Sequence, residues 1–168
     1  HFADPSGGFF FTADDHETLI LRPKTFGDDA TPAGNGVAAR LLLRLGYLLA
    51  EPRYLDAAER TLRAGWSLLE RYPHAHTSLL MALDELTEPP TIVVLRGTDE
   101  DLTVWRTELD KLYDPRRMVV AIPSGATDLP AALADKRAGA STIAYICRGT
   151  TCSAPLGTLG ELVRALKH

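Results

Sequence analysis

The sequence predicts a mixed fold: α/α hairpins opened by a short β-hairpin over residues 1–88, then a small three-stranded parallel α/β unit over residues 89–168. Three observations predict it. Before Thr87-Glu88-Pro89-Pro90, three helical segments alternate between mostly apolar and two-faced. After it, short β-branched runs alternate with helical ones. Charge divides at the same place, with 13 acids against 8 bases before it (net −5) and 9 against 10 after it (net +1).

The aromatic and β-branched runs Phe9–Thr12 and Thr18–Arg22 flank Asp14-Asp15-His16, a pattern that predicts a β-hairpin. Thr31-Pro32 reads as an N-cap followed by proline in the first turn, opening a helix to about Ala50. Arg40 and Arg44 are the only charged interior positions of that helix, so it is expected to be buried on most sides. Glu51-Pro52 ends it. From Arg53 to Arg71, Tyr54, Leu55, Ala58, Leu62, Trp66 and Leu69 recur at helical spacing, opposite a charged face. A third helix, about Ala75 to Leu86, is again mostly apolar. Buried, two-faced, buried is the order of inner and outer helices in an α/α toroid. Three helices cannot close such a ring, so the open helical face calls for an upstream part of the same protein or a second copy. The first residues likewise read as the middle of a longer protein.

Past Pro90 the expected elements are a strand at Thr91–Leu95, a helix at Asp99–Tyr113, a strand at Met118–Ile122, a short helix near Pro130–Arg137, a strand at Thr142–Cys147 and a last helix at Thr158–Lys167. Short apolar strands separated by helices predict a buried parallel sheet.

Composition narrows the function. Of 168 residues, 45% are hydrophobic and 24% charged, a globular balance, and the net charge of −4 lacks the basic face that nucleic acid requires. Adjacent basic residues occur only as pairs such as Arg116-Arg117. No apolar run is long enough to span a membrane. Two cysteines are too few for a disulfide scaffold, which points to a reducing, cytoplasmic setting. No metal or other cofactor is expected.

The candidate site residues cluster early. His16, between Asp15 and Glu17, is a candidate acid or base, although a solvated turn residue is the commoner fate of that pattern. Asp14 joins it as a possible ligand contact. Arg22 and Lys24 either bind a polar ligand or pair with nearby acids. Gly34 and Gly36 each cost about 1 kcal/mol of helix propensity, so the helix start they occupy is expected to meet another element or a ligand closely. Asn35 adds a donor and an acceptor there. His74 and His76 precede the third helix and lie near this turn if helix starts share one end; His76 is the further catalytic candidate. Cys147 and Cys152 follow the last strand at C-x4-C spacing, not the redox C-x-x-C, so incidental thiols are the commoner expectation.

Taken together, Gly7-Gly8-Phe9-Phe10-Phe11-Thr12-Ala13-Asp14-Asp15-His16-Glu17, Arg22-Pro23-Lys24 and Asp28-Asp29-Ala30-Thr31-Pro32-Ala33-Gly34-Asn35 with Val37-Ala38-Ala39 resemble a thioredoxin-domain-containing family. Its members join a thioredoxin-like domain (domain of unknown function 255) to a helical toroid similar to N-acylglucosamine 2-epimerases and six-hairpin glycosidases. Cys147…Cys152-Ser153-Ala154-Pro155 is similar to that family's C-terminal end. The resemblance implies an (α/α)6 toroid whose last part is residues 1–88. It carries no catalytic role onto His16, His74 or His76, because none matches the epimerases' histidines by motif. The thioredoxin-like domain and about half the toroid have no counterpart in this chain. Three functions are therefore in play: part of an epimerase-like, carbohydrate-binding protein; a thiol-redox module using Cys147 and Cys152; and a non-catalytic structural tail.

Overall fold

The computed structural model describes residues 1–167; His168, the last residue of the expected second unit, lies outside them. The chain divides into two compact units, residues 1–47 with 51–89 and residues 48–50 with 90–168.

The first unit is helical. Helices α1 (Gly34–Leu49), α2 (Pro52–Arg71) and α3 (Thr77–Thr87) follow an extended N-terminal segment, with one 3-10 turn at Pro73–Ala75. The α1–α2 corner is set by chain chemistry. Ala50 takes a left-handed φ of 53° and the Glu51 N–H returns to the Gly46 carbonyl at 3.0 Å, a Schellman closure. Pro52 then starts α2 where no N–H is needed. Gly46 lets Leu55 of α2 lie directly on the α1 backbone, where a Cβ would collide with it. Phe26, Leu43, Leu62, Leu69 and Leu79 fill the space between the helices.

The predicted N-terminal hairpin does not form. Ala3 bridges Phe9 instead, Phe10 N–H donates to the Phe2 carbonyl at 2.8 Å, and Phe11 N–H donates to the Pro23 carbonyl at 2.9 Å. Ile20 and Leu21 stand exposed, so pairing residues 18–22 as a strand would bury no apolar face to reward it. Helix α1 also begins later than Thr31-Pro32. Asp28 takes the Ala33 N–H at 2.7 Å, which closes residues 28–33 into a bent loop ahead of the helix.

The second unit holds a four-stranded sheet ordered β2-β1-β3-β4, where β1 is Thr91–Gly97, β2 Met118–Pro123, β3 Ile143–Arg148 and β4 Thr151–Cys152. Helices α4 (Asp99–Asp110), α5 (Ala131–Ala134) and α6 (Leu159–Leu166) connect or follow them. The expected three-stranded parallel sheet is corrected here. β1 and β2 are parallel, but β3 is antiparallel to β1, and β4, unforeseen, is antiparallel to β3. The reason is that β1 is central and buried on both faces, which erases alternation in any sheet and leaves strand direction unreadable. Val93 and Leu95 pack with α4 and α6 through Leu102, Trp105, Leu109 and Leu162. Thr158 and Glu161 cap α6 reciprocally, and Thr98 caps α4.

Gly149 turns β3 into β4 at a φ of 57°, placing Cys147 opposite Cys152, and their sulfurs are bonded. Direct cross-strand opposition brings the two Cα atoms to 4.0 Å. Removing this six-residue closure in Cys152→Ser is expected to lower the stability of the sheet unit by about 2 kcal/mol. Urea unfolding followed at Trp105, which lies in that unit, checks this.

Candidate functional site

The N-terminal segment forms an aromatic wall. Gly7 and Gly8 both take left-handed φ angles, 102° and 78°, and turn the chain back on itself. Gly8 has no room for a side chain, because a Cβ would come within 2.9 Å of the Asn35 Oδ1 and 3.0 Å of the Phe26 ring. Two cations hold the wall in place. The Arg22 guanidinium lies 4.3 Å from the Phe10 ring centroid and donates to the carbonyls of Thr12 at 2.7 Å and His1 at 3.1 Å. The Lys24 ammonium pairs with Asp4 at 2.6 Å and donates to the Gly7 carbonyl at 2.9 Å. The Lys24 hydrogen bond to Asp4, with those of Ser6, lowers the Asp4 carboxyl to about 2. Arg22 and Lys24 thus act on the wall, and neither pairs with Asp28 or Asp29.

Asp28 joins the helices instead. Its carboxylate accepts from Ala33 N–H at 2.7 Å ahead of α1, and from Thr77 Oγ1 at 2.7 Å, Ser78 N–H at 2.8 Å and Ser78 Oγ at 2.5 Å at the start of α3. Burial pushes this carboxyl up, but four donors outweigh it and hold it well below the usual carboxylate range. Gly36 belongs to the same junction: a Cβ there would overlap Ser78, so α1 and α3 approach through this glycine.

Between the aromatic wall and the start of α1 lies a hollow of about 660 Å³. Phe2, Phe9, Phe10 and Phe11 line one side, and Thr25, Asp29, Thr31 and Gly34 contribute to the rest. Phe11 is 79% exposed and Phe2 49%, so their ring faces are open. Gly34 has no heavy atom within 4 Å of where its Cβ would stand, so its bare backbone borders free space.

The expected site residues separate into two groups. Gly34 and Asn35 line the hollow, but the Asn35 amide is engaged by the fold: Oδ1 accepts from Phe9 N–H at 2.7 Å, and Nδ2 donates to the carbonyls of Phe9 at 3.0 Å and Thr25 at 2.8 Å. Asn35 therefore fixes the aromatic wall to α1. His76 is buried, with Nδ1 2.8 Å from the Tyr72 carbonyl, and its other ring nitrogen faces Gly27. Asp28 N–H donates to the Ala75 carbonyl, so the α3 start does lie beside the 27–35 segment. Outside the hollow, His16 is exposed and makes no hydrogen bond with any described residue. Its expected place beside the acids is taken by His1, whose Nδ1 lies 2.6 Å from Asp14 and 3.6 Å from Asp15. Cys147 and Cys152 belong to the sheet unit.

Two clusters escaped the sequence reading. One is the Asp28 junction. The other is Glu85 of α3, whose carboxylate is 2% exposed and accepts from Arg40 Nε at 2.7 Å and from Arg44 Nε at 2.8 Å and Nη2 at 2.5 Å. Burial pushes the Glu85 carboxyl up, while the Arg44 and Arg40 hydrogen bonds outweigh it and leave it below its ordinary value. The signal was present: two arginines four apart on an otherwise apolar helix, and acids on a facing apolar helix.

No model of a known protein family matches the chain. Human and mouse spermatogenesis-associated protein 20 each align with it at 27% identity over 176 residues. The alignment takes in 99% of this chain and 22% of each relative, so the chain spans about a fifth of the length of the curated relatives it matches. No helix among the described residues is long and apolar enough to cross a membrane.

Proposed function

We propose that the helical unit supplies one wall of a binding site for a neutral polyhydroxylated small molecule, a monosaccharide or an N-acylated sugar. The observation that carries this reading is the hollow between the phenylalanines and α1. Open aromatic faces suit the C–H face of a sugar ring, while Thr25, Thr31, Asp29 and the bare Gly34 backbone offer partners for hydroxyls. In this reading the unit is the last part of an epimerase-like (α/α)6 toroid, in keeping with the resemblance carried by Gly7–Glu17 and Asp28–Asn35. The open helical face would be covered by an upstream part of the same protein, or by a second copy. Gly34 and the phenylalanine faces then do the binding, and no residue is assigned to a chemical step.

Calorimetric titration with a monosaccharide panel tests the reading. Phe11→Ala is expected to weaken sugar binding roughly 3- to 10-fold. Its stability should stay within about 0.5 kcal/mol of wild type, because the ring is exposed. A panel without any binder, or an affinity unchanged by Phe11→Ala, favours a purely structural tail.

The bonded sulfurs of Cys147 and Cys152 favour a second reading, a thiol–disulfide accessory role. Thiol titration across a glutathione series separates it from a structural staple, which would stay closed throughout.

A further inference from the structure

A second hollow, of about 460 Å³, lies beyond the Asp29–Pro32 segment, which lines both. Its chemistry differs from that of the aromatic one. Arg40 and Arg44 line it, one helical turn apart on α1, together with the exposed apolar side chains of Val37, Leu41 and Met81.

The charge arrangement behind these arginines is unequal. Two guanidinium groups share one buried carboxylate, that of Glu85. Arg40 gives it a single nitrogen, Nε, and Arg44 gives it Nε and Nη2. Both Nη atoms of Arg40 and Nη1 of Arg44 are left without an acceptor among the described residues. The two side chains are 29% and 24% exposed, so these nitrogens are accessible from the hollow that the arginines line. The remaining acids take none of these nitrogens, although both keep their charge: the Asp28 carboxylate is filled by its four neutral donors, and Asp29 pairs with neither arginine among the described residues.

Glu85 grips both arginines from behind, so their planar forks are already fixed when a ligand arrives. Little rotamer entropy remains to be lost on binding. Neighbouring guanidinium N–H groups in fixed orientation match the paired oxygens of a carboxylate or phosphate. We infer that this hollow is an oxyanion site, in which Arg40 and Arg44 bind the carboxylate or phosphate group of a small ligand and Glu85 is the positioning residue. Asp29 selects against polyanions, and the apolar side chains accommodate a short carbon skeleton. The inference does not depend on sugar binding at the aromatic hollow, because it rests on different side chains and a different ligand group.

The test is a ¹⁵N NMR titration of the arginine side-chain Nε–H groups with inorganic phosphate and, separately, with acetate, against sodium chloride at equal ionic strength. Saturable shifts at Arg40 and Arg44 are expected with at least one oxyanion. A response to phosphate alone identifies a phosphorylated ligand, and a response to acetate a carboxylated one. Arg40→Lys keeps the charge and leaves Arg44 on Glu85, so its amide spectrum should stay folded while affinity falls about tenfold or more. Shifts no larger than those in chloride, or an affinity unchanged in Arg40→Lys, overturn the inference.

Discussion

Replacing Glu85 by alanine is expected to destabilise the helical unit by roughly 3–5 kcal/mol, the largest effect of any single substitution considered. The loss does not measure how favourable the ion cluster is. It measures what remains: two partly buried guanidinium groups left without the carboxylate between them. The control follows from the same physics. Arg40→Met, Arg44→Leu and Glu85→Leu combined should restore most of the lost stability, because a packed apolar cluster replaces an ionic one. Denaturant unfolding followed at Trp66, the tryptophan of the helical unit, reads both results once Trp105 is replaced by phenylalanine. An E85A variant within about 1 kcal/mol of wild type would mean that the cluster is solvated and carries little.

Asp28→Ala is expected to cost about 2–3 kcal/mol, since it strips a helix start and leaves several donors without their acceptor. Its particular effect is on geometry. Asp28 is the only described side chain that bonds both the approach to α1 and the start of α3, so its loss should loosen the 27–35 segment between the two hollows. Faster amide exchange at Ala33 and Ser78, with exchange in α2 unchanged, would display that.

The same two carboxylates contribute to the response to acid, alongside Asp4. Both have folded-state pKa values below their ordinary 3.8 and 4.5, so each stabilises the fold fully above those values. That stability is lost as pH falls through the lowered folded values. Thermal stability is therefore expected to be flat from neutral pH to about 5 and to decline below about 4. In Asp28→Asn the acid decline should be shallower.

Much of the fold was legible in the sequence because it is written in periodicity. The three helices and, apart from β4, the strand–helix order of the second half follow from apolar spacing, with ends displaced by a few residues. What could not be read depends on direction and on distant partners. The run Thr91–Gly97 is apolar on both faces, and burial of that kind is the same whether the neighbouring strand runs with it or against it. The Phe9–Thr12 run looks like a hairpin strand because aromatic residues favour strands, yet here the rings form a wall beside α1. For the site, the glycine pair Gly34 and Gly36 reads as a close-approach point, and the structure shows a close approach at Gly36, against Ser78. Gly34 leaves space open, whereas Asn35 holds the backbone of Phe9 and Thr25. Nothing local marks His1 rather than His16 as the imidazole near Asp14, since that pairing depends on how residues 1–14 fold back.

The aromatic hollow as a sugar site is the central claim, and its most direct test uses Gly34. Gly34 lines the hollow and a Cβ there meets no neighbouring element, so a leucine is expected to obstruct binding without disturbing the fold. Protein carrying ring-fluorinated phenylalanine, wild type and Gly34→Leu, is titrated with glucose and with N-acetylglucosamine and followed by fluorine NMR. The prediction is saturable shifts at Phe2 and Phe11 in the wild type that disappear in Gly34→Leu while its unfolding midpoint is retained. Wild-type resonances that do not move, or that move equally in both proteins, would contradict it.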